Sequence, residues 1–251
     1  MAVKRNLKTR RKGLTGQSTR STLARHLDDV KLSGRKRAAA SSRVSDQSPK
    51  DLYHHGDLRR ALIAAGTAIV ERSGVPALTL RAVARRTRVS HNAPYHHFTG
   101  KSELLAAVAA AGFDRMLESI AQLAASTRAA TALARLTAIG MGYMTFAAQN
   151  PSVFRLMFRP ELTRPAEHPE LLDAEKRAIG TLLETILFAQ QTGELPAGDP
   201  LPMAAFAWST VHGLSILHIE HVLRETPLGS QRFEKLAKFI DERIIAALKG
   251  A

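Results

Sequence analysis

The chain has 251 residues, a formal charge of +14 and no cysteine, long enough to bury a sizeable core as one large domain or as a small one joined to a larger one. The absence of thiols excludes disulfides, zinc ribbons, iron–sulfur clusters and thiol nucleophiles. No run approaches the roughly 20 apolar residues of a membrane-spanning helix, and the first 30 residues hold no hydrophobic segment of signal-peptide type, so a soluble, cytoplasmic chain is expected.

The charge is unevenly spread. Residues 1–50 carry fourteen Lys and Arg against three Asp and Glu, whereas residues 101–251 carry fifteen against sixteen. Such asymmetry points to a polyanionic partner at the N-terminal end, nucleic acid first and an anionic membrane second. Clusters such as KTRRK (8–12) and GRKRAAASSR (34–43) lie among few large apolar residues, and residues 1–50 read as a disordered basic tail. An arm gripping DNA phosphates, an organelle transit segment, sequence upstream of the true start and a merely solvated tail all fit it.

Periodicity begins at Asp57, where Leu58, Leu62, Ala65 and Ile69 fall on one helical face, with Gly74 as a stop. After Pro76, Thr79 caps a short second helix over Leu80–Arg86, with Ala82 and Val83 facing inward. Thr87 and Arg88 form a turn, and Ser90 is an N-cap for a third helix over His91–His97. Gly100 followed by Glu103 resembles half of a capping box that opens a fourth helix. A short helix, a tight turn and a capped short helix together give a helix-turn-helix signature.

Later segments are also helical. Leu133, Leu136, Gly140, Tyr143 and Ala147 keep the 3,4 spacing until Asn150-Pro151, and a short apolar piece, SVFRLMF (152–158), follows. A helix over about 169–191 carries Leu172, Ile179, Leu183 and Ile186. Another carries Ala205, Trp208, His212, Ser215, Ile219 and Val222. The last, over about 230–249, carries Phe233, Leu236, Ile240, Ile244 and Leu248. No alternating strand pattern occurs, so the expected fold class is all-α.

The histidines of VSHNAPYHHF (89–98) stand at i, i+5 and i+6 and point in different directions around a helix, which argues against a metal site. TGKS (99–102) echoes a Walker loop without its first glycine or preceding strand. His218 and His221, three apart, could chelate a metal if other ligands approached, though such histidines are more often solvated. No enzyme motif has a foothold. A DNA-reading role makes better sense of the stretch. His91 and Asn92 would meet base edges, Tyr95, His96 and Lys101 would meet phosphates, and Arg81, Arg85, Arg86 and Arg88 would supply a positive field. Val89 and Phe98 read as core.

The segment LTLRAVARRTRVSHNAPYHHFTGKSELLAAV (78–108) resembles the helix-turn-helix of TetR-type transcriptional regulators. The family pattern falls on Thr79, Val83-Ala84, Val89-Ser90, Tyr95-His96-His97-Phe98, Lys101 and Leu104. MTFAAQNPSVFRLMF (144–158) and WSTVHG (208–213) are similar to the subgroup with a WHG-type C-terminal domain. The resemblance implies three parts: a tail over 1–50, a DNA-binding domain over 51–112, and an effector-binding and dimerisation domain over 113–251. It implies a homodimeric repressor, released from a near-palindromic double-stranded operator by a small molecule, with no cofactor, metal or catalytic step.

The DNA-binding residues would be Thr79, Arg81, Ser90, His91, Asn92, Ala93, Tyr95, His96 and Lys101, in a motif running from Thr79 to Phe98. Tyr143, Phe146, Met157, Trp208 and His212 are candidate walls of an effector pocket, the alternative being plain core. Arg88 stands where the family's turn often has glycine, and it must take a left-handed or otherwise unfavourable backbone. A helical metal-binding protein or enzyme using the histidines is the competing reading, and a general nucleic-acid-packaging protein is a third.

Overall fold

The computed structural model describes residues 49–224 and 226–250, so the basic tail read over 1–50 lies outside the described residues except for its last two positions. Helix α1, Pro49–Ser73, buries Leu62, Ala65 and Val70. It ends at Gly74, whose φ of 75° suits a residue without Cβ and whose N–H donates back to the Val70 carbonyl at 2.9 Å. A 3-10 turn over Val75–Ala77 leads to α2, Leu80–Thr87. Thr79 caps α2, its Oγ1 accepting the Ala82 N–H at 3.0 Å. Leu80, Val83 and Ala84 are the buried residues of α2; Ala82 is only half-buried, one position off the sequence expectation.

The segment after the turn departs from the expected α-helix over His91–His97. Residues 91–92 form a turn, and the regular piece is a 3-10 helix over Ala93–His96 that Ser90 does not cap with its side chain. Pro94 is the cause. In an α-helix starting after Ser90, the first i→i+4 bond would come from the N–H of residue 94, which proline lacks. The Ser90 carbonyl instead accepts from Ala93, three residues on, at 3.1 Å, and Tyr95 and His97 continue the three-residue pattern. Pro94 is buried, pinning this tight turn to α2.

Helix α3, Lys101–Ser126, joins the two halves of the core. Its first turns pack Leu104 and Val108 beside Gly66 of α1 and Leu78, and its later turns bury Phe113, Met116 and Ile120. Residue 112, where the sequence suggests that one domain hands over to the next, lies midway along it. Glu103 reaches one residue beyond the expected capping box, accepting the Thr99 N–H at 2.7 Å and its hydroxyl at 2.8 Å. That backbone hydrogen bond holds the Glu103 carboxyl below its ordinary range.

The remaining helices are α4 (Ala132–Gln149), α5 (Pro151–Met157), the single turn α6 (Pro160–Thr163), α7 (Pro169–Gln191), α8 (Pro200–Ile219) and α9 (Phe233–Lys249). Four of these six begin with proline, whose missing N–H costs nothing in a first turn. Helix α3 packs on α4, α5 and α7, while α4 also packs on α8 and α9. Among the described residues every regular element is helical, and no helix is long and apolar enough to cross a membrane.

Helix faces differ from the sequence reading in the last three helices. In α7 the buried residues are Leu171, Ala174, Leu182, Ile186 and Ala189, with Leu172, Ile179 and Leu183 on the flank. In α8 they are Ala204, Ala207, Val211, Ser215 and Ile219, whereas Ala205 and Trp208 are exposed and Val222 lies beyond the helix. In α9 Ala237, Asp241, Ile244 and Leu248 are buried instead of Phe233, Leu236 and Ile240. Helix α8 is apolar nearly all round, so periodicity alone has no face to select.

Candidate functional site

Two surfaces carry the candidate residues. On the first, Thr79, Arg81, Ser90, His91, Asn92, Tyr95, His96 and Lys101 are all exposed, and Ala93 is half-buried. Helix α2 and the 3-10 turn pack on one another, which brings these side chains onto one end of the molecule. Arg85, Arg86 and Arg88 are exposed there too, adding positive charge. Arg88 adopts φ 57°, ψ 37°, the left-handed backbone expected of it, and its N–H closes α2 on the Arg85 carbonyl. Phe98, 1% exposed, anchors the end of the segment, with the Arg59 guanidinium 5.5 Å from its ring centroid. Arg59 in turn pairs with Glu170 of α7 at 2.5 Å, and Ser102 with His168 at 3.1 Å. This exposed basic end is thus tied to the C-terminal helices by polar contacts between residues 111 and 66 positions apart, which no local pattern could pair.

The second is a cavity of about 460 Å³ lined by side chains of α3, α4, α5, α7, α8 and α9. Of the five expected wall residues, Tyr143, Met157 and Trp208 line it. His212 stands behind Tyr143, and Phe146 is packed under Arg115, whose guanidinium lies 5.9 Å from its ring centroid. Trp208 and His212 find the partner that each requires in the same group. Trp208 Nε1 donates to the Tyr143 hydroxyl at 3.3 Å, and that hydroxyl lies 2.7 Å from His212 Nδ1. With the indole donating to the phenol oxygen, the phenol proton can be given to Nδ1 of a neutral imidazole that carries its own proton on Nε2. Burial pushes the Tyr143 hydroxyl up and His212 down, so both ionised forms are disfavoured and the neutral chain persists. Phe154 and Phe158 meet Tyr143 edge-on or tilted at 5.4 and 6.4 Å, holding its ring.

Three acidic residues that shape these surfaces and helices escape the sequence reading. Asp241, 4% exposed, lines the cavity; its signal was a charge on the inward 237, 241, 244, 248 period of α9. Glu71 reaches from α1 to the start of α5, and Glu194 caps α4 through the Ala132 and Leu133 N–H groups at 2.9 and 3.2 Å. Neither capping glutamate had a local signal, because each caps a helix distant in sequence. His218 stacks on Phe233 at 3.8 Å, and burial lowers its pKa.

Residues 62–108 match the family model of bacterial regulatory proteins of the tetR family, and residues 136–239 match that of the tetracyclin repressor-like C-terminal domain. The two spans take in more than half of the chain. The chain belongs to the TetR family. No curated protein matches it. Among solved structures, a protein of unknown function from Rhodococcus sp. RHA1 is 28% identical, with a TM-score of 0.66 over 81% of this chain and 100% of that one. A bacterial regulatory protein in the tetR family from Rhodococcus RHA1 is 21% identical, with a TM-score of 0.54 over 76% and 96%. The fatty acid degradation regulator FadR from Bacillus halodurans is 15% identical, with a TM-score of 0.58 over 80% and 97%. This TetR-family protein is a DNA-binding transcriptional regulator with an all-α fold, and its helix-turn-helix occupies the exposed basic end described above.

Proposed function

We propose that this TetR-family regulator is a repressor that binds its operator as a homodimer and releases it when a small molecule fills the cavity. One observation carries the reading. Helix α5 ends on the cavity wall at Met157 and begins where Glu71 of the DNA-binding half holds it, so occupancy of the cavity bears on a helix attached to the DNA-binding residues. The working parts are residues 51–112 for DNA and 113–251 for effector and dimer, sharing α3. It acts in the cytoplasm, where its operator lies.

At the DNA, Asn92 and His91 read bases, Asn being suited to adenine, whereas Tyr95, His96 and Lys101 hold phosphates. Thr79, Arg81, Ser90 and Ala93 complete the contact surface. A second copy of the chain covers α8, where Phe206, Ser209, Gly213 and Leu217 follow the helical repeat. Phe206 and Leu217 are 45% and 42% exposed, and small residues between them allow close approach. Phe239 of α9, 55% exposed, is a further large apolar side chain open to a partner.

Footprinting on the DNA flanking its own gene, with and without candidate effectors, tests the whole. Protection of a two-fold-related site, lifted by a compound that binds the cavity, is the expected result. Equal affinity for that DNA and for random duplex would instead favour a packaging protein. In parallel, Trp208→Ala or His212→Ala abolishes release while operator binding persists. Normal release in both variants would remove the cavity from the mechanism.

A further inference from the structure

We infer that the cavity takes a lipophilic amine, an apolar molecule whose one cationic head meets the carboxylate of Asp241. This rests on the reading of the cavity as the effector site. The walls are apolar side chains such as Phe113, Met116, Ile120 and Ile179, and a cavity of about 460 Å³ suits a small drug-sized molecule. What distinguishes it is the sign of its interior polar groups. Asp241 is buried on α9 with the Thr137 side chain as its hydrogen-bond partner, and no Lys or Arg among the described residues pairs with it. Glu175 of α7, half-buried, is a second carboxylate in the lining. The Tyr143 hydroxyl is already engaged by Trp208 and His212. Lys176, the basic residue of the lining, is exposed.

A buried carboxylate without a cation is costly, and it persists where something is gained by it. Here the fold makes room for it. A Cβ at position 140 would overlap Oδ1 of Asp241, so the glycine of α4 is what admits the carboxylate, at a local cost of about 1 kcal/mol in helix propensity. Burial raises both carboxyls, Asp241 to about 6, and a cation beside either would favour its charged form. The same charges repel a ligand with a carboxylate head.

Three probes of one chain length separate the possibilities: decylamine, decanol and decanoic acid, titrated into the full chain at neutral pH. Trp208, the sole tryptophan, reports binding by its fluorescence from within the cavity wall. Decylamine should bind about tenfold more tightly than decanol, with decanoic acid weakest. Asp241→Asn should lose about tenfold for the amine while changing decanol by less than about twofold, and Glu175→Gln should weaken the amine about threefold. Decanoic acid equalling or exceeding the amine, or Asp241→Asn and Glu175→Gln both keeping the full amine preference, would overturn the inference and leave the cavity as an effector site. Failure of all three probes to bind would overturn both.

Discussion

Glu71 of α1 holds the N-terminus of α5 across 82 residues of sequence, its Oε1 accepting the Val153 N–H at 2.9 Å and its Oε2 the Ser152 N–H at 3.4 Å. The local residue that could cap α5, Asn150, is otherwise engaged. Its Oδ1 accepts from Arg115 at 2.8 Å and its Nδ2 donates to the Phe146 carbonyl at 3.0 Å. A carboxylate at a helix start satisfies orphan N–H groups and the positive end of the dipole together.

Removing that carboxylate separates the two halves energetically. Glu71→Ala should cost about 1–2 kcal/mol in urea unfolding, the usual loss for a cap. Operator affinity without effector should stay within about threefold, while the effector concentration that halves operator binding rises. Unchanged release at lowered stability would make Glu71 a purely structural cap.

On the proposed reading, Asn92 contacts bases and Lys101 contacts phosphates. Asn92→Ala should lose about 1–3 kcal/mol of discrimination between the operator and a single-base variant. Lys101→Ala should weaken every sequence alike and reduce the salt slope of binding by about 1. Competition binding at several salt concentrations measures both.

The contact of Gly140 with Asp241 predicts a coupled pair. Gly140→Ala alone should destabilise by about 1–3 kcal/mol through overpacking. Adding Asp241→Ala should recover most of that loss, since it removes the overlapping oxygen. Additive losses in the cycle would show that the crowding lies elsewhere.

Asp241 also sets a pH dependence. Its pKa is raised from 3.8 to about 6 by burial, so between those values the folded chain keeps a proton that the unfolded chain has released. Stability therefore falls as pH rises through this window, by about 2–3 kcal/mol in all, and is fully present below it. Asp241→Asn should flatten this descent in urea midpoints taken from about pH 4 to pH 7.

Dimerisation should fail when its apolar stripe is charged. Phe206→Arg or Leu217→Arg, each placed on an exposed position of α8, should give a monomer by light scattering and a regulator that no longer protects both half-sites. A dimer retained in both variants would move the interface off α8.

Much of the fold is legible in the sequence wherever a local rule settles it. Thr79 as a cap, Gly74 as a stop and the boundaries of α7 all follow from residues adjacent to the event they control. Pro94 shows the limit of such reading. Its early position is tolerable in an α-helix, yet the missing N–H sends the Ser90 carbonyl to Ala93 and tightens the whole turn. The facing of α8 and α9 was less accessible, because apolar residues on a dimer-type surface and on a core surface look alike in one sequence. Trp208 and Tyr143 were legible as wall residues from their chemistry. Asp241 was not, since a lone carboxylate in a helix is ordinarily solvated and only its neighbours reveal that it is buried.

Arg88 shows a tension that runs through the DNA-binding end. Glycine would hold the same left-handed backbone with about 1–2 kcal/mol less strain, so Arg88→Gly should raise the unfolding temperature. It would also remove an exposed positive charge from the basic end of the chain. A sturdier fold and a firmer hold on a polyanion therefore make opposite demands on this one position.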